Sequence, residues 1–126
     1  MADAVRPSDG GTLAVVTRFS DAINARDLEA IARLLTEDTI FENTGPAPDG
    51  ARLDGKPAVV GFWKNWLAAN QDARFEAEEV LVCGDRCVVS WIYRKPRDGR
   101  PWHLRGVDIF TVRDGKIAAK CAYVKG

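Results

Sequence analysis

An α+β fold, with three N-terminal helices against a curved, mostly antiparallel sheet, is what this sequence predicts. Apolar residues recur at helical spacing in three segments before Asn70. From Arg74 onward the pattern changes to strand-like alternation, and turn residues cut it into four segments. Helices gathered in one half and strands in the other give the segregated layers of the α+β class. A chain of 126 residues has room for one domain. The expected organisation is a flexible N-terminus over residues 1–11 and a single domain over 12–126.

From about Thr12, Leu13, Val16, Phe19 and Ile23 share one helical face, with Arg18, Asp21 and Asn24 between them. Asp27 is a good N-cap for a second helix, in which Leu28, Ile31, Leu34 and Leu35 share a face before Thr36-Glu37-Asp38 ends the pattern. The two helices are expected to form an α-hairpin. Thr39-Ile40-Phe41-Glu42 is a short β-prone run, and the Pro and Gly density of residues 43–50 predicts a long mobile loop. Pro57 suits the first turn of a third helix carrying Val59, Phe62, Trp63, Trp66 and Leu67 on one face. Strands are expected over Arg74–Cys83, Cys87–Tyr93, Trp102–Val112 and Lys116–Val124, in a meander whose first turn is Gly84-Asp85.

Composition narrows the function classes. Eighteen Lys and Arg balance eighteen Asp and Glu, so no net field draws the chain to nucleic acid or to an anionic membrane. The longest apolar runs fall far short of the roughly 20 residues that span a bilayer. Residues 1–11 have neither the basic flank nor the apolar stretch of a signal peptide, which makes the cytoplasm the expected location. Cys83, Cys87 and Cys121 are odd in number and lack metal-ligand spacing, and are expected to be small buried hydrophobes. No Gly-rich phosphate cradle, serine elbow or metal motif is present, so any chemistry is expected to need no cofactor and no metal.

The last hairpin sets which residues share a face. Arg113-Asp114-Gly115 fits a three-residue loop with Gly at the left-handed position. Val112 then faces Lys116, Phe110 faces Ala118, Asp108 faces Lys120 and Gly106 faces Ala122. A two-residue turn would instead send Lys120 to the opposite face.

This order of elements carries Phe41-Glu42-Asn43 before a Gly/Pro loop, Phe62-Trp63 on the third helix, Arg105-Gly106-Val107-Asp108-Ile109-Phe110, and a closing Arg113-Asp114-Gly115-Lys116-Ile117. It resembles the nuclear transport factor 2-like superfamily, and within it the SnoaL-like or ketosteroid-isomerase-like members, over about Thr12 to Val124. The resemblance implies a cystatin-like roll, a cone whose sheet wraps an apolar cavity, and homodimers formed through the outer sheet face. Its members include isomerases, polyketide cyclases, dehydratases, epoxide hydrolases and proteins that only bind or dimerise, so fold alone selects none of them. Steroid isomerases of this fold use a Tyr, an Asp base and a protonated Asp, at positions that correspond here to Phe19, Asn43 and Asp108. Only Asp108 is retained. The second Asp of the epoxide hydrolases corresponds to Ala122, so neither residue set is intact.

Asp108 lies in an otherwise apolar strand, with the parity that lines the cavity in this family. A carboxyl there can donate a proton to an enolate-like oxygen or act as a general base, or it can be half of a structural ion pair with Lys120 or Arg105. Lys120 sits among small residues, Ala118-Ala119 and Cys121-Ala122, where a long cation has space to reach a cavity. It could set the charge state of Asp108, bind an anionic group or act as an amine nucleophile, the last opposed by the neighbouring carboxylate. Asn43 could orient a substrate carbonyl or simply begin the turn. Phe19, Phe41, Phe62, Trp63, Trp91, Tyr93 and Phe110, with Ala122, suit a hydrophobic pocket for a flat apolar ligand. Trp91 and Tyr93 point inward only if the Lys95–Pro101 loop has the right parity. His103, opposite in parity to Asp108, reads as a surface residue.

The expectation from sequence is therefore a cofactor-independent acid–base isomerase or cyclase for a small apolar carbonyl compound. Asp108, Lys120 and Asn43 would be its catalytic set. The alternatives are a hydrophobic ligand-binding protein without turnover and a dimerisation domain.

Overall fold

The structure, a computed structural model, describes residues 7–125, with side chains from Gly11 onward. Residues 1–6 of the expected N-terminal segment lie outside it, and the first helix begins at Pro7. Helix α1 (Pro7–Ala25) buries Val16, Phe19 and Ile23 of the predicted face together with Val15 and Ala22, whereas Leu13, expected on that face, is exposed. Arg26, at φ 62°, breaks it. Asp27 then caps α2 (Leu28–Arg33), its carboxylate accepting from the Ala30 amide at 3.0 Å.

Helix α2 is shorter than the periodicity predicts. Leu34 is its C-cap and Leu35, expected on the helical face, is the first residue of strand β1 (Leu35–Glu42). The sheet overrides the helical pattern here. Ile117 donates its amide to the Leu34 carbonyl at 2.7 Å, and Leu35 pairs with Ile117 across the parallel contact between β1 and the last strand.

The loop expected over residues 43–50 is present, but it is folded on itself and followed by a strand, β2 (Arg52–Asp54), that pairs with β1. Asn43 donates its amide to the Ala51 carbonyl (2.9 Å), Gly50 to Pro46 (2.7 Å) and Ala51 to Gly45 (2.9 Å). Gly50 is at φ +79°, and a Cβ there would collide with the Asn43 carbonyl oxygen. Pro57 lies in the first turn of α3 (Lys56–Ala69), which buries Val59, Trp63 and Leu67.

Strands β3 (Arg74–Cys83), β4 (Arg86–Arg94), β5 (His103–Arg113) and β6 (Lys116–Val124) form the expected antiparallel meander. The six-stranded sheet has the order β2-β1-β6-β5-β4-β3, and β1 against β6 is its one parallel pair. The architecture is thus three helices against an open, curved, mixed sheet. The buried core lies between the helices and the inner face, around Phe19, Ile31, Phe41, Val59, Phe110 and Ile117. Register shifts between Ala77 and Glu79 where β3 pairs with β4, leaving Glu78 as an extra residue. Of the three cysteines, Cys87 is buried and Cys121 half-buried, but Cys83 is exposed at the end of β3, contrary to expectation.

The hairpin between β5 and β6 corrects the predicted register. Arg113 pairs with Lys116, so the loop is the two-residue Asp114-Gly115, both at positive φ (54° and 74°) as a type I′ turn requires. Alone, this turn would turn Lys120 outward. Ala118 is a bulge, however: Val112 pairs with Ile117 but Thr111 pairs with Ala119, so Phe110 faces Lys120 and Asp108 faces Ala122. The extra residue returns Lys120 to the inner face, diagonal to Asp108 rather than opposite it.

Candidate functional site

Two adjoining chambers open between α1, α3 and the inner face of the sheet. The inner one, about 50 Å³, is walled by Phe19, Ser20, Ile23, Ala77, Val89 and Phe110. The outer one, about 180 Å³, is walled by Asn43, Thr44, Phe62, Trp66, Tyr93, Leu104 and Ala122. Trp63, Phe75, Trp91, Asp108 and Lys120 line both.

Strand pairing explains this convergence. Val89 faces Asp108, Trp91 faces Gly106 and Tyr93 faces Leu104, so Trp91 and Tyr93 share the inner face with Asp108. Gly106 makes room for Trp91: a Cβ there would stand 2.5 Å from the indole Cζ2 and 2.5 Å from the Tyr123 carbonyl oxygen. Phe75 is fixed from α1, where the Asn24 side chain accepts from its amide at 3.0 Å and donates to its carbonyl at 2.9 Å. The Arg26 guanidinium donates to the carbonyls of Asn70 (2.8 Å), Gln71 (2.9 Å) and Ala73, tying the end of α1 to the connection between α3 and β3.

At the junction of the chambers lies an ion pair. Lys120 Nζ is 3.8 Å from Asp108 Oδ1, with the two side chains only 8% and 15% exposed. That separation is too long for a hydrogen bond, and Oδ1 has no hydrogen-bond partner among the described residues. The ammonium also lies 5.2 Å from the ring centre of Phe41 and 5.3 Å from that of Trp63, within the range of cation–π attraction. The charge is therefore balanced by one carboxylate and two aromatic faces, in a loosely held geometry. Arg105, the other partner considered for Asp108, instead pairs with Glu78 at 3.0 Å.

Among the other sequence candidates, Phe19 and Phe110 wall the inner chamber, and Phe62, Tyr93, Ala122 and Asn43 the outer one. Phe41 does not line either chamber; fully buried, it forms the floor beneath Lys120 and packs edge-on against Phe19. Asn43 is half-buried at the mouth, and its side-chain amide has no protein partner among the described residues. Tyr93 donates to Asn70 Oδ1 at 3.3 Å, an acceptor shared with Lys95 Nζ at 2.8 Å. Burial, aided by the negative charge of Asp72, pushes the Tyr93 phenol above its ordinary value. His103 is exposed, with Nε2 3.4 Å from an Arg105 guanidinium nitrogen. Among the described residues no three His, Cys, Asp or Glu side chains are grouped as a metal site, and no helix is long and apolar enough to cross a membrane.

Sequence reasoning missed Phe75 and Trp66, which stack on each other with ring centres 5.7 Å apart. Leu104 and Val89 were readable by parity once Asp108 and Trp91 were placed inward. The site thus has the form of a cone-shaped α+β domain of the nuclear transport factor 2-like class, with a half-buried carboxylate beside a buried ammonium in an aromatic cavity. A family model for the SnoaL-like domain matches residues 16–120, and the chain belongs to that family. No curated protein matches it in sequence. Among solved structures, an NTF2-like protein of unknown function from Mesorhizobium loti is similar at 36% identity and a TM-score of 0.83, covering 96% of each chain. A candidate polyketide cyclase from Sinorhizobium meliloti is 26% identical, with a TM-score of 0.70 over 89% of this chain and 94% of that one. A candidate ketosteroid isomerase from Kribbella flavida, at 21% identity and a TM-score of 0.79, covers 94% of this chain and 80% of its own, and shares the fold.

Proposed function

We propose that the protein is a cofactor-independent acid–base enzyme, an isomerase or cyclase acting on a small, largely apolar carbonyl compound. The observation that carries this reading is the half-buried Asp108 carboxylate in an aromatic cavity, with one buried oxygen unbonded and 3.8 Å from a buried ammonium. In the proposed reaction Asp108 removes a proton from the carbon next to the carbonyl. The electron pair moves to the carbonyl oxygen, and the resulting enolate is neutralised by Lys120. Where a carbon–carbon double bond is conjugated with the enolate, return of the proton from Asp108 to the far carbon of that system completes an isomerisation, and attack of the enolate carbon on a second carbonyl of the same molecule, whose oxygen takes the proton from Asp108, completes a cyclisation. Asn43, at the mouth, orients the distal part of the substrate through its unpartnered amide. The related candidate cyclase supports the class of chemistry.

The test is deuterium incorporation from heavy water into the α-carbon of a panel of small cyclic and aryl ketones, followed by proton NMR. The wild-type chain is expected to exceed the buffer rate, and Asp108→Asn to lower that excess by at least about a hundredfold with an unchanged circular dichroism spectrum. Exchange no faster than buffer for every ketone, or undiminished in the variant, would overturn the proposal. The competing reading is a binding protein in which Asp108 and Lys120 form a structural pair, as their burial permits. It requires instead that Asp108→Asn lose stability while ligand affinity stays unchanged.

A further inference from the structure

Hydrogen-bonding groups at the inner chamber are unequally satisfied. Trp63 Nε1 and Trp91 Nε1 are buried donors without an acceptor among the described residues, and Asp108 Oδ1 is a buried acceptor without a donor. Lys120 Nζ is too far from that oxygen to hydrogen-bond to it. A buried polar atom left unpaired costs about 1–3 kcal/mol, so native proteins rarely tolerate several around one small space. Here three belong to side chains that line the same chamber, and aromatic rings surround them.

We infer that the inner chamber is a recognition site for a hydroxy-carbonyl group, a hydroxyl and a carbonyl on adjacent carbons, with the two indole N–H groups as its specificity determinants. This inference rests on the proposed carbonyl chemistry and narrows its substrate class. The unmet acceptor is one carboxylate oxygen, which calls for a single hydroxyl donor. The unmet donors are the ammonium and the two indoles, which call for oxygen lone pairs. A lone ketone leaves Asp108 Oδ1 unpaired, and a lone alcohol leaves the donors undersupplied. A carboxylate brings a second negative charge beside Asp108. Two oxygens on adjacent carbons run side by side across the 3.8 Å gap between Lys120 and Asp108. The inner volume of about 50 Å³ admits such a head group and little more. An attached ring then lies in the outer chamber between Phe62, Trp66 and Tyr93.

The experiment is an NMR titration of the ¹⁵N-labelled chain, reading the indole N–H signals of its four tryptophans, each assigned by the signal that its Trp→Phe variant removes. The probes are 2-hydroxy-1-phenylethanone, acetophenone, 1-phenyl-1,2-ethanediol and phenylacetate, which present both groups, the carbonyl, hydroxyls only and a carboxylate. The hydroxyketone is expected to bind about tenfold tighter than each of the others, to move the Trp63 and Trp91 signals downfield, and to leave Trp102 in place. Trp63→Phe and Trp91→Phe are expected to erase the preference while acetophenone still binds. The wild-type shifts test the inference even if one variant fails to fold. Equal binding of hydroxyketone and acetophenone with unmoved Trp63 and Trp91 signals would overturn the inference and leave the carbonyl reading standing. Tighter binding of phenylacetate would overturn it in favour of an anion site, and no binding by any probe would sink both readings. Selective binding of the hydroxyketone without Asp108-dependent deuterium exchange would retain the recognition site and remove the enzymatic reading.

Discussion

Gly106 shapes the inner wall by what it lacks. The residue faces Trp91 across β4 and β5, and the indole occupies the space a side chain would fill. Gly106→Ala would press its Cβ into both the Trp91 ring and the Tyr123 carbonyl, and since the second obstacle is backbone, the sheet itself must shift. A loss of about 1–3 kcal/mol is expected, read as a lower urea midpoint, together with an altered near-ultraviolet circular dichroism band from the displaced indole. An unchanged midpoint and band would show that Trp91 is not fixed by this contact. At this scale the sequence was informative about chemistry and poor about satisfaction. Asp108 stood out as a charge in an apolar strand, and alternation with it placed Gly106 and Phe110 on the same face. Nothing in the sequence shows that the Trp63 and Trp91 nitrogens lack partners, because that depends on every neighbour packed around them.

Between elements, the site depends on side-chain clasps and on bulges. Asn24 holds the start of β3 through both backbone groups of Phe75, and Phe75 lines both chambers. Asn24→Ala removes both bonds and is expected to cost about 1–3 kcal/mol. Hydrogen exchange should show faster exchange at the Phe75 amide than at the amides of β5; protection at Phe75 equal to wild type would refute the clasp. Helices α1 and α3 and the four-strand meander were legible because their periodicities extend over many residues. The three-residue β2 was not, since a strand that short after a Pro/Gly loop has no alternation to read. Helix α2 was read too long because Leu34 and Leu35 continue its apolar face, whereas the chain's hydrogen bonds at that point go to β6. The Ala118 bulge is the clearest case. The expected turn was one residue too long, yet Lys120 reached the predicted face because the inserted residue compensates for the tighter turn.

For the whole molecule, a buried thiol and a half-buried phenol set an alkaline limit on stability. Burial raises the Cys87 thiol above its ordinary 9.0, and burial is also the main cause that raises the Tyr93 phenol above 10.0. As pH rises, the unfolded chain releases these protons before the folded one does. Their contribution is therefore complete below about pH 9 and is lost as pH climbs through the folded-state values. Urea midpoints measured from neutrality to about pH 11 should fall above about pH 9, and Cys87→Ala should flatten the first part of that fall; a flat profile in the wild type would refute the coupling. The overall architecture was readable because the segregation of helices and strands is a property of the entire chain, but the one parallel pairing among the described residues, β1 with β6, joins strands far apart in sequence and leaves no local trace. That closure leaves β2 and β3 as the margins of the sheet. β2 is only three residues long, whereas β3 has ten and carries the exposed apolar residues Val80 and Leu81, an inviting template for another chain. The extra residue at Glu78 interrupts its regular ladder with β4, and Glu76, Glu78 and Glu79 place carboxylates along it. An incoming strand would meet a bent border that carries the carboxylate of Glu79 and the ion pairs of Glu76 with Arg94 and Glu78 with Arg105, so the same irregularity that interrupts regular pairing in β3 also guards the protein against polymerising into stacked sheets.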